Sequence, residues 1–183
     1  MLFAMQPQTI LHFWFEELTT KRHFVKDATL DETIRTRFGA TVEAAARCEL
    51  FAWHTTAEGR LAEIVVLDQF SRNVYRDTPR AFAQDALALA LAQELVACGH
   101  DRSLALAQRV FAYMPYMHSE SALVHAQAVT LFSQPGIEGN LDFELRHKAI
   151  IDRFGRFPHR NAILGRASSA QELAFLSEPG SSF

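Results

Sequence analysis

Helix signals recur along this chain of 183 residues, whereas no window alternates apolar and polar residues as a half-buried strand does. Apolar residues at four-residue spacing predict amphipathic helices. Capping boxes, in which Glu or Gln follows Ser or Thr by three positions, predict where helices begin. Such boxes occur at Thr29–Glu32, Thr55–Glu58 and Ser169–Glu172. The sequence therefore predicts an all-α fold.

Glycine and proline indicate several helix ends. A helix over Ala86–Ala97 is predicted to end before Gly99, and one over Leu141–Phe154 before Gly155, because glycine adopts the left-handed backbone that follows many helices. The remaining boundary predictions are N-caps at Asp101 and Ser119 and a bend or end at Pro115. Together they give two successive antiparallel α-hairpins, over about 84–115 and 119–154.

The overall composition excludes several classes of protein. The length fits one domain, residues 1–183, and no low-complexity linker divides it. A net charge of -3 gives no electrostatic reason to expect binding to nucleic acid or to a membrane. The first ten residues lack the features of a signal peptide, and no run approaches the roughly 18 apolar residues of a membrane span. We therefore expect a cytoplasmic protein.

No sequence motif indicates a cofactor or a metal. Cys48 and Cys98 lie in helical patterns and lack the spacing of a metal site or a disulfide framework. A phosphate-binding lysine loop, a dinucleotide-binding glycine motif, a nucleophile elbow and a zinc-protease motif are all absent from the sequence. We therefore predict neither a cofactor nor a bound metal.

Charged residues extend the apolar stripe of one predicted helix. Asp68 follows Ile64 by four positions, and Arg72 follows Asp68 by four, so both are expected on the buried face. A carboxylate in that position needs a partner, because an unpaired buried charge is costly. The pair is interpreted either as an ion pair that locks helices together or as one wall of a polar pocket. Gln69, Asn73 and Arg76 are expected to contribute to such a pocket.

Histidines also lie in suggestive positions. His147 is on the inward face of the helix over Leu141–Phe154, where a hydrogen-bonded structural role competes with a catalytic one. His118 and Glu120 follow Pro115 and are interpreted as an acid/base pair or as two metal ligands. Capping by Ser119 and Glu120 is the structural alternative.

Arginine is concentrated near the end of the chain. The segment Arg153–Asn161 reads Arg-Phe-Gly-Arg-Phe-Pro-His-Arg-Asn, and Arg166 follows shortly after it. Arginine binds carboxylates and phosphates through two parallel hydrogen bonds, so this segment is a candidate anion site. The alternative is that its phenylalanines fill the core and its arginines form internal ion pairs.

Several motifs together resemble the bacterial family DUF924. They are Ile10–Phe15, Leu67–Asn73, Tyr113–Glu120, 153–165 and 175–183. The resemblance runs nearly end to end and is most specific in Arg153–Asn161. Ser71 occupies a position where the family often has Pro, which can alter the helix end. The resemblance implies a single-domain, all-α fold with antiparallel α-hairpins in a compact tetratricopeptide-like arrangement, and it implies no activity.

Two functional hypotheses follow. In the first, side chains from three segments surround one pocket that binds a small anionic ligand. Its predicted ligand-binding residues are Asp68, Arg72, Arg76, Arg156, Arg160, Asn161 and Arg166. Its candidate acid–base residues, should the protein be an enzyme, are His118, Glu120, His147 and His159. In the second, the stacked α-hairpins form a groove for a peptide, and the polar clusters are structural locks.

Overall fold

The computed structural model describes residues 5–182. Over that range the chain forms helices joined by turns and contains no strand, which confirms the all-α prediction. Residues 1–4, which belong to the segment assessed for a signal peptide, and Phe183, which ends the last family-like motif, lie outside the described range. The α-helices are α1 (Pro7–His12), α2 (Ala28–Ala46), α3 (Ala57–Val65), α4 (Ser71–Val74), α5 (Asp85–Ala97), α6 (Leu106–Met117), α7 (Ala122–Phe132), α8 (Leu141–Phe154) and α9 (Ala170–Leu176).

A π-helical turn over Val66–Phe70 joins α3 to α4, so residues 57–74 form one continuous helix. A π turn contains more residues than an α turn and is often found at functional sites. All five of its residues are buried, including Asp68 and Gln69. This turn explains why polar side chains enter the centre of an otherwise apolar core.

The central helix packs against most of the molecule. α3 contacts α1, α5 and α6, while α2 packs against α4 and the π turn. Around it, Phe13, Phe38 and Phe70 form one aromatic cluster, with ring centroids 4.9–5.9 Å apart. Burial of these rings supplies much of the apolar stabilisation of the domain. Because the helix is surrounded, three of its charged residues, Arg60, Glu63 and Asp68, are buried.

The two predicted hairpins are present. α5 packs against α6, and α7 packs against both α6 and α8. A second, smaller core lies at the end of α8, where Ile150, Ile151 and Phe157 are buried and Phe154 and Phe175 pack against them. This small core anchors the arginine-rich segment and α9 to the rest of the domain.

Helix ends defined by glycine were predicted correctly. α5 ends at Ala97 and α8 spans Leu141–Phe154, with Gly99 at φ 71° and Gly155 at φ 68°. The box at Ser169 is also confirmed, because Ser169 Oγ accepts from the Glu172 N–H while the Glu172 carboxylate accepts from the Ser169 N–H. These signals are local, so the sequence contains them in full.

Other predicted caps were wrong. Asp27, not Thr29, caps α2, and Thr56, not Thr55, caps α3. Asp101 is buried and accepts from the Tyr113 hydroxyl instead of capping a helix. In the first two cases a neighbouring side chain caps the helix instead, and in the third a tertiary hydrogen bond engages the carboxylate.

The boundary between α6 and α7 also differs from the prediction. Pro115 lies within α6, which continues to Met117, and Ser121 rather than Ser119 occupies the position before α7. Pro115 is tolerated two residues before the helix ends. Over residues 5–182, no helix is long and apolar enough to cross a membrane.

Candidate functional site

Asp68 lies at the middle of the π turn and is almost fully buried. Its Oδ1 is 3.0 Å from Arg72 Nη1, and its Oδ2 accepts from the Gln69 amide at 2.5 Å. Burial alone would favour the neutral acid, but the charge of Arg72 and the hydrogen bond from His118 outweigh it and hold the pKa of Asp68 well below its ordinary value. Asp68 is therefore a buried carboxylate with its charge compensated, as its spacing from Arg72 predicted.

His118 follows α6 and is the second partner of Asp68. Its Nδ1 is 2.8 Å from Asp68 Oδ1. An ionised carboxylate only accepts hydrogen bonds, so Nδ1 carries a proton, and in the neutral form of this tautomer Nε2 presents a lone pair. A buried Asp that orients a His in this way prepares the outer nitrogen to act as a general base.

Arg72 and Arg160 converge on Asp85, the first residue of α5. Arg72 Nη2 and Arg160 Nη1 each lie 3.1 Å from Asp85 Oδ2. Arg72 thus bridges two carboxylates, those of Asp68 and Asp85. A continuous chain of polar contacts therefore runs from His118 to Arg160.

Arg160 is held in an unusual environment. Its side chain is only 8 % exposed, and its guanidinium lies over the rings of Phe82 and Phe157, 4.7 and 4.5 Å from their centroids. Burial, and then the nearby charge of Arg72, lower the pKa of Arg160 to about 10. Within residues 5–182 the only hydrogen bond of its guanidinium goes to Asp85, and the buried Nε lacks a partner. Arg160 is thus a desolvated cation with unused donor capacity.

These residues border a cleft of about 370 Å³ between α5, the α6–α7 turn and the turn over Pro158–Arg160. The lining combines charged and apolar side chains, as small-molecule sites do. It comprises Pro79, Phe82, Ala83, Asp85, Ala86, Leu89, His118, Ser119, Glu120, Arg160 and Leu164. The volume is sufficient for a small metabolite.

Glu120 belongs to a different network from His118. Its carboxylate accepts two bonds from Arg166, at 2.6 and 2.9 Å, and one from the Phe157 N–H at 2.8 Å. Burial opposes ionisation, but the bonds from Arg166 and Phe157 keep the pKa of Glu120 below its ordinary value. The predicted acid/base pair of His118 and Glu120 does not form, since each residue contacts its own partner.

Arg166 and Asn161 hold the arginine-rich segment in shape. Besides Glu120, Arg166 donates to Asn161 Oδ1 at 2.9 Å and to the Phe157 carbonyl at 3.1 Å. Asn161 is buried and donates to Ser168 Oγ at 3.0 Å. These bonds engage both side chains with other parts of the segment and with Glu120, and neither Arg166 nor Asn161 lines the cleft.

Arg156 and Arg76 lie in ion pairs away from the cleft lining. Arg156 donates two bonds to Glu172, at 2.6 and 2.8 Å, and so fastens α9. Arg76 donates two bonds to Asp31, at 2.5 and 2.7 Å, and so joins α4 to α2. Of the seven predicted ligand-binding residues, the structure therefore brings together Asp68, Arg72 and Arg160, of which only Arg160 lines the cleft.

The two remaining candidate histidines pack near the same core. His147 donates from Nδ1 to the Phe143 carbonyl at 2.7 Å, and its ring is 6.4 Å from that of His118. Burial lowers the pKa of His147 to about 3 and that of His159 to about 4, so both are neutral at physiological pH. His159 packs against Phe157 in a tilted arrangement, with ring centroids 5.6 Å apart.

Sequence reasoning missed Asp85, on which the two arginines meet. In sequence Asp85 resembles an ordinary first-turn acid that compensates the helix dipole. It also missed His125 and Glu144, a fully buried pair whose Nδ1–Oε1 distance is 2.7 Å. The two residues lie 19 positions apart on different helices, so helical spacing does not reveal this pair.

Metal binding by the predicted residues finds no support. Across the described part of the chain, no three His, Cys, Asp or Glu side chains converge as metal ligands. His118 and Glu120, interpreted from sequence as two metal ligands, instead contact Asp68 and Arg166.

Comparison with known proteins identifies the family. A family model described as "Bacterial protein of unknown function (DUF924)" matches residues 10–180. The chain belongs to the DUF924 family. This DUF924 chain is also similar to a solved structure, a protein of unknown function, ATU0120, from Agrobacterium tumefaciens. The two chains are 38% identical with a TM-score of 0.88, and the match covers 93% of this chain and 96% of the other. No curated protein matches the sequence.

Proposed function

We propose that this DUF924 protein binds a small molecule with a carboxylate or phosphate group in the cleft beside Arg160. The observation that carries the proposal is the state of Arg160, a buried cation that lines the cleft and uses one donor on Asp85. A buried guanidinium with unused donors gains from an anionic partner. A small anionic metabolite as ligand also fits the cytoplasmic location expected from the sequence.

Arg72 supports this role indirectly. It bridges Asp68 and Asp85, at 3.0 and 3.1 Å, so its own donors are engaged. Its charge lies close to Arg160, which makes a further negative charge favourable there. In this proposal Arg160 contacts the ligand, whereas Arg72 positions Asp85 and raises the local positive potential.

Thermal stability and calorimetric affinity measured with inorganic phosphate and with citrate test the proposal. We expect stabilisation of the wild-type protein by at least one of the two anions. Arg160→Gln should weaken that affinity about 10- to 100-fold, because a hydrogen bond to a charged group contributes about 1.5–3 kcal/mol. The affinity of Arg160→Lys, which keeps the charge and loses the planar fork of donors, should lie between those of the wild type and Arg160→Gln.

The control is Arg102→Gln, since Arg102 is exposed on the 3₁₀ segment that precedes α6. It should bind like the wild type. Circular dichroism establishes that each variant is folded. Unchanged affinity in folded Arg160→Gln, or the absence of any response to millimolar phosphate and citrate, would rule the proposal out.

A second candidate function is peptide binding, supported by a groove of about 450 Å³ between α5 and α7. Its lining is mostly uncharged: Gln93, Val96, Ala97, Tyr116, Gln127, Thr130 and Leu131. The lining contains one aromatic side chain, Tyr116, and no arginine. Val96→Arg separates the two functions, because it should block a peptide selected on the wild type and leave citrate binding unchanged.

A further inference from the structure

The cleft contains a hydrogen-bond acceptor, Nε2 of His118, whose orientation is fixed by the contact of the other ring nitrogen with Asp68. Asp68 Oδ1 lies 2.8 Å from His118 Nδ1, Gln69 donates to Asp68 Oδ2, and the Arg72 guanidinium forms an ion pair with the carboxylate at 3.0 Å. The ion pair with Arg72 and the bond from Gln69 hold this carboxylate in its ionised form, so it accepts the proton of Nδ1. In its neutral form, the His118 tautomer that this contact selects has a lone pair on Nε2.

That lone pair is available to a ligand. His118 lines the cleft, and its Nε2 makes no hydrogen bond to any residue between 5 and 182. Asp85 lies in the same lining, and its buried Oδ1 also has no partner within that part of the chain. The cleft thus combines one cationic anchor, Arg160, with acceptors that an anionic group cannot satisfy.

We infer that the ligand carries a hydroxyl group close to its anionic group, and that this hydroxyl donates to Nε2 of His118. The inference rests on the proposed function, since it assigns a second contact to the same ligand. It names a substrate class: small hydroxy acids or hydroxylated phosphate esters. Simple carboxylates, and alkyl phosphates as dianions, satisfy Arg160 alone and leave Nε2 unpaired.

The expected discrimination is moderate. A neutral hydrogen bond contributes a net effect equivalent to about a 3- to 10-fold change in affinity. A ligand that lacks the hydroxyl binds more weakly because Nε2 of His118 is then left without a hydrogen-bond partner. Matched ligands that differ by a single hydroxyl therefore measure the inference directly.

The experiment compares malate with succinate, and glycerol 1-phosphate with propyl phosphate, by calorimetry on the intact chain. The wild type should prefer the hydroxylated member of at least one pair by about 3- to 10-fold. In His118→Asn the amide N–H still faces Asp68, but Nε2 is gone, so the preference should fall to about one. His100→Asn, on the exposed 3₁₀ segment before α6, is the control and should keep the preference.

The possible failures are distinguishable. If neither member of either pair binds, the proposed function is wrong and the inference falls with it. If both members bind equally to the wild type, or if His118→Asn keeps the preference, the inference is wrong while anion binding at Arg160 stands. Nitrogen-15 NMR provides a second test, because a proton on Nε2 rather than on Nδ1 in the free protein contradicts the orientation required here.

Discussion

Arg72 and Arg160 donate to the same oxygen atom, Oδ2 of Asp85, and both N···O distances are 3.1 Å. Asp85 and Arg160 are 75 residues apart in the sequence. This one carboxylate oxygen therefore ties together the end of the central helix, the first turn of α5 and the turn before Asn161. Two like charges remain this close because a negative charge lies between them.

Removal of that charge should destabilise the fold. In Asp85→Asn the two arginines lose their shared counter-charge in a partly buried setting, and we expect the free energy of unfolding to fall by about 2–4 kcal/mol. Urea denaturation measures this change. Asp142→Asn is the control, because its pair with Arg146 is mostly exposed and should contribute about 0–1 kcal/mol. Equal, small losses in both variants would contradict the structural role of Asp85.

Stability should decrease as the pH falls below neutrality. The pKa of His147 is about 3 in the folded protein, against an ordinary value of 6.5, because burial disfavours its charged form. Between those values the unfolded chain binds a proton that the folded chain does not. This contribution to stability is complete above pH 6.5 and is lost at up to about 1.4 kcal/mol per pH unit as the pH falls toward 3.

Substitution of the histidine tests the cause of that slope. His147→Asn keeps a donor for the Phe143 carbonyl and removes the titrating group. The variant should lose less stability than the wild type between pH 6.5 and pH 4, although it is less stable at neutral pH. Urea denaturation at a series of pH values provides the comparison, and parallel slopes would show that His147 does not contribute.

Gly59 should not tolerate a side chain. A Cβ atom at this position would lie 2.0 Å from the Trp53 carbonyl oxygen and 2.9 Å from Thr56 Oγ1, which caps α3. The contact with the backbone cannot be relieved by a side-chain rotation, so Gly59→Ala should destabilise the protein by roughly 2–4 kcal/mol.

Gly39 is the matched control for this substitution. It lies within α2, and a Cβ atom there would meet nothing within 4 Å. Gly39→Ala should therefore stabilise the protein by about 0.5–1 kcal/mol, since alanine has the higher helix propensity. Thermal denaturation of both variants is sufficient, and a similar result for the two would contradict this account of Gly59.

Arg166 should behave as a structural lock and not as a ligand-binding residue. Its bonds to Glu120, Asn161 and the Phe157 carbonyl hold the 157–166 segment. Arg166→Gln should reduce the free energy of unfolding by about 2–4 kcal/mol and speed amide exchange in that segment. Citrate or phosphate affinity of the folded variant should remain within about threefold of the wild type, and a loss as large as that of Arg160→Gln would place Arg166 in the ligand site.

Only part of the polar pattern was readable from sequence. The pairing of Asp68 with Arg72 was predicted correctly, because four-residue spacing places two side chains on one helix face. The pairing of His118 with Glu120 was not, although the two are close in sequence. His118 contacts Asp68 across 50 residues, and Glu120 contacts Arg166 across 46.

The sequence by itself determined the helical class, the ends of α5 and α8, the cap of α9 and the burial of Asp68 and His147. These features depend on periodicity and on residues within one or two turns of each other. Only the tertiary structure decided which arginines face the cleft and which are internal locks. The reason is that Arg156, Arg160 and Arg166 are alike in sequence, and their roles are set by carboxylates on other helices, Glu172, Asp85 and Glu120.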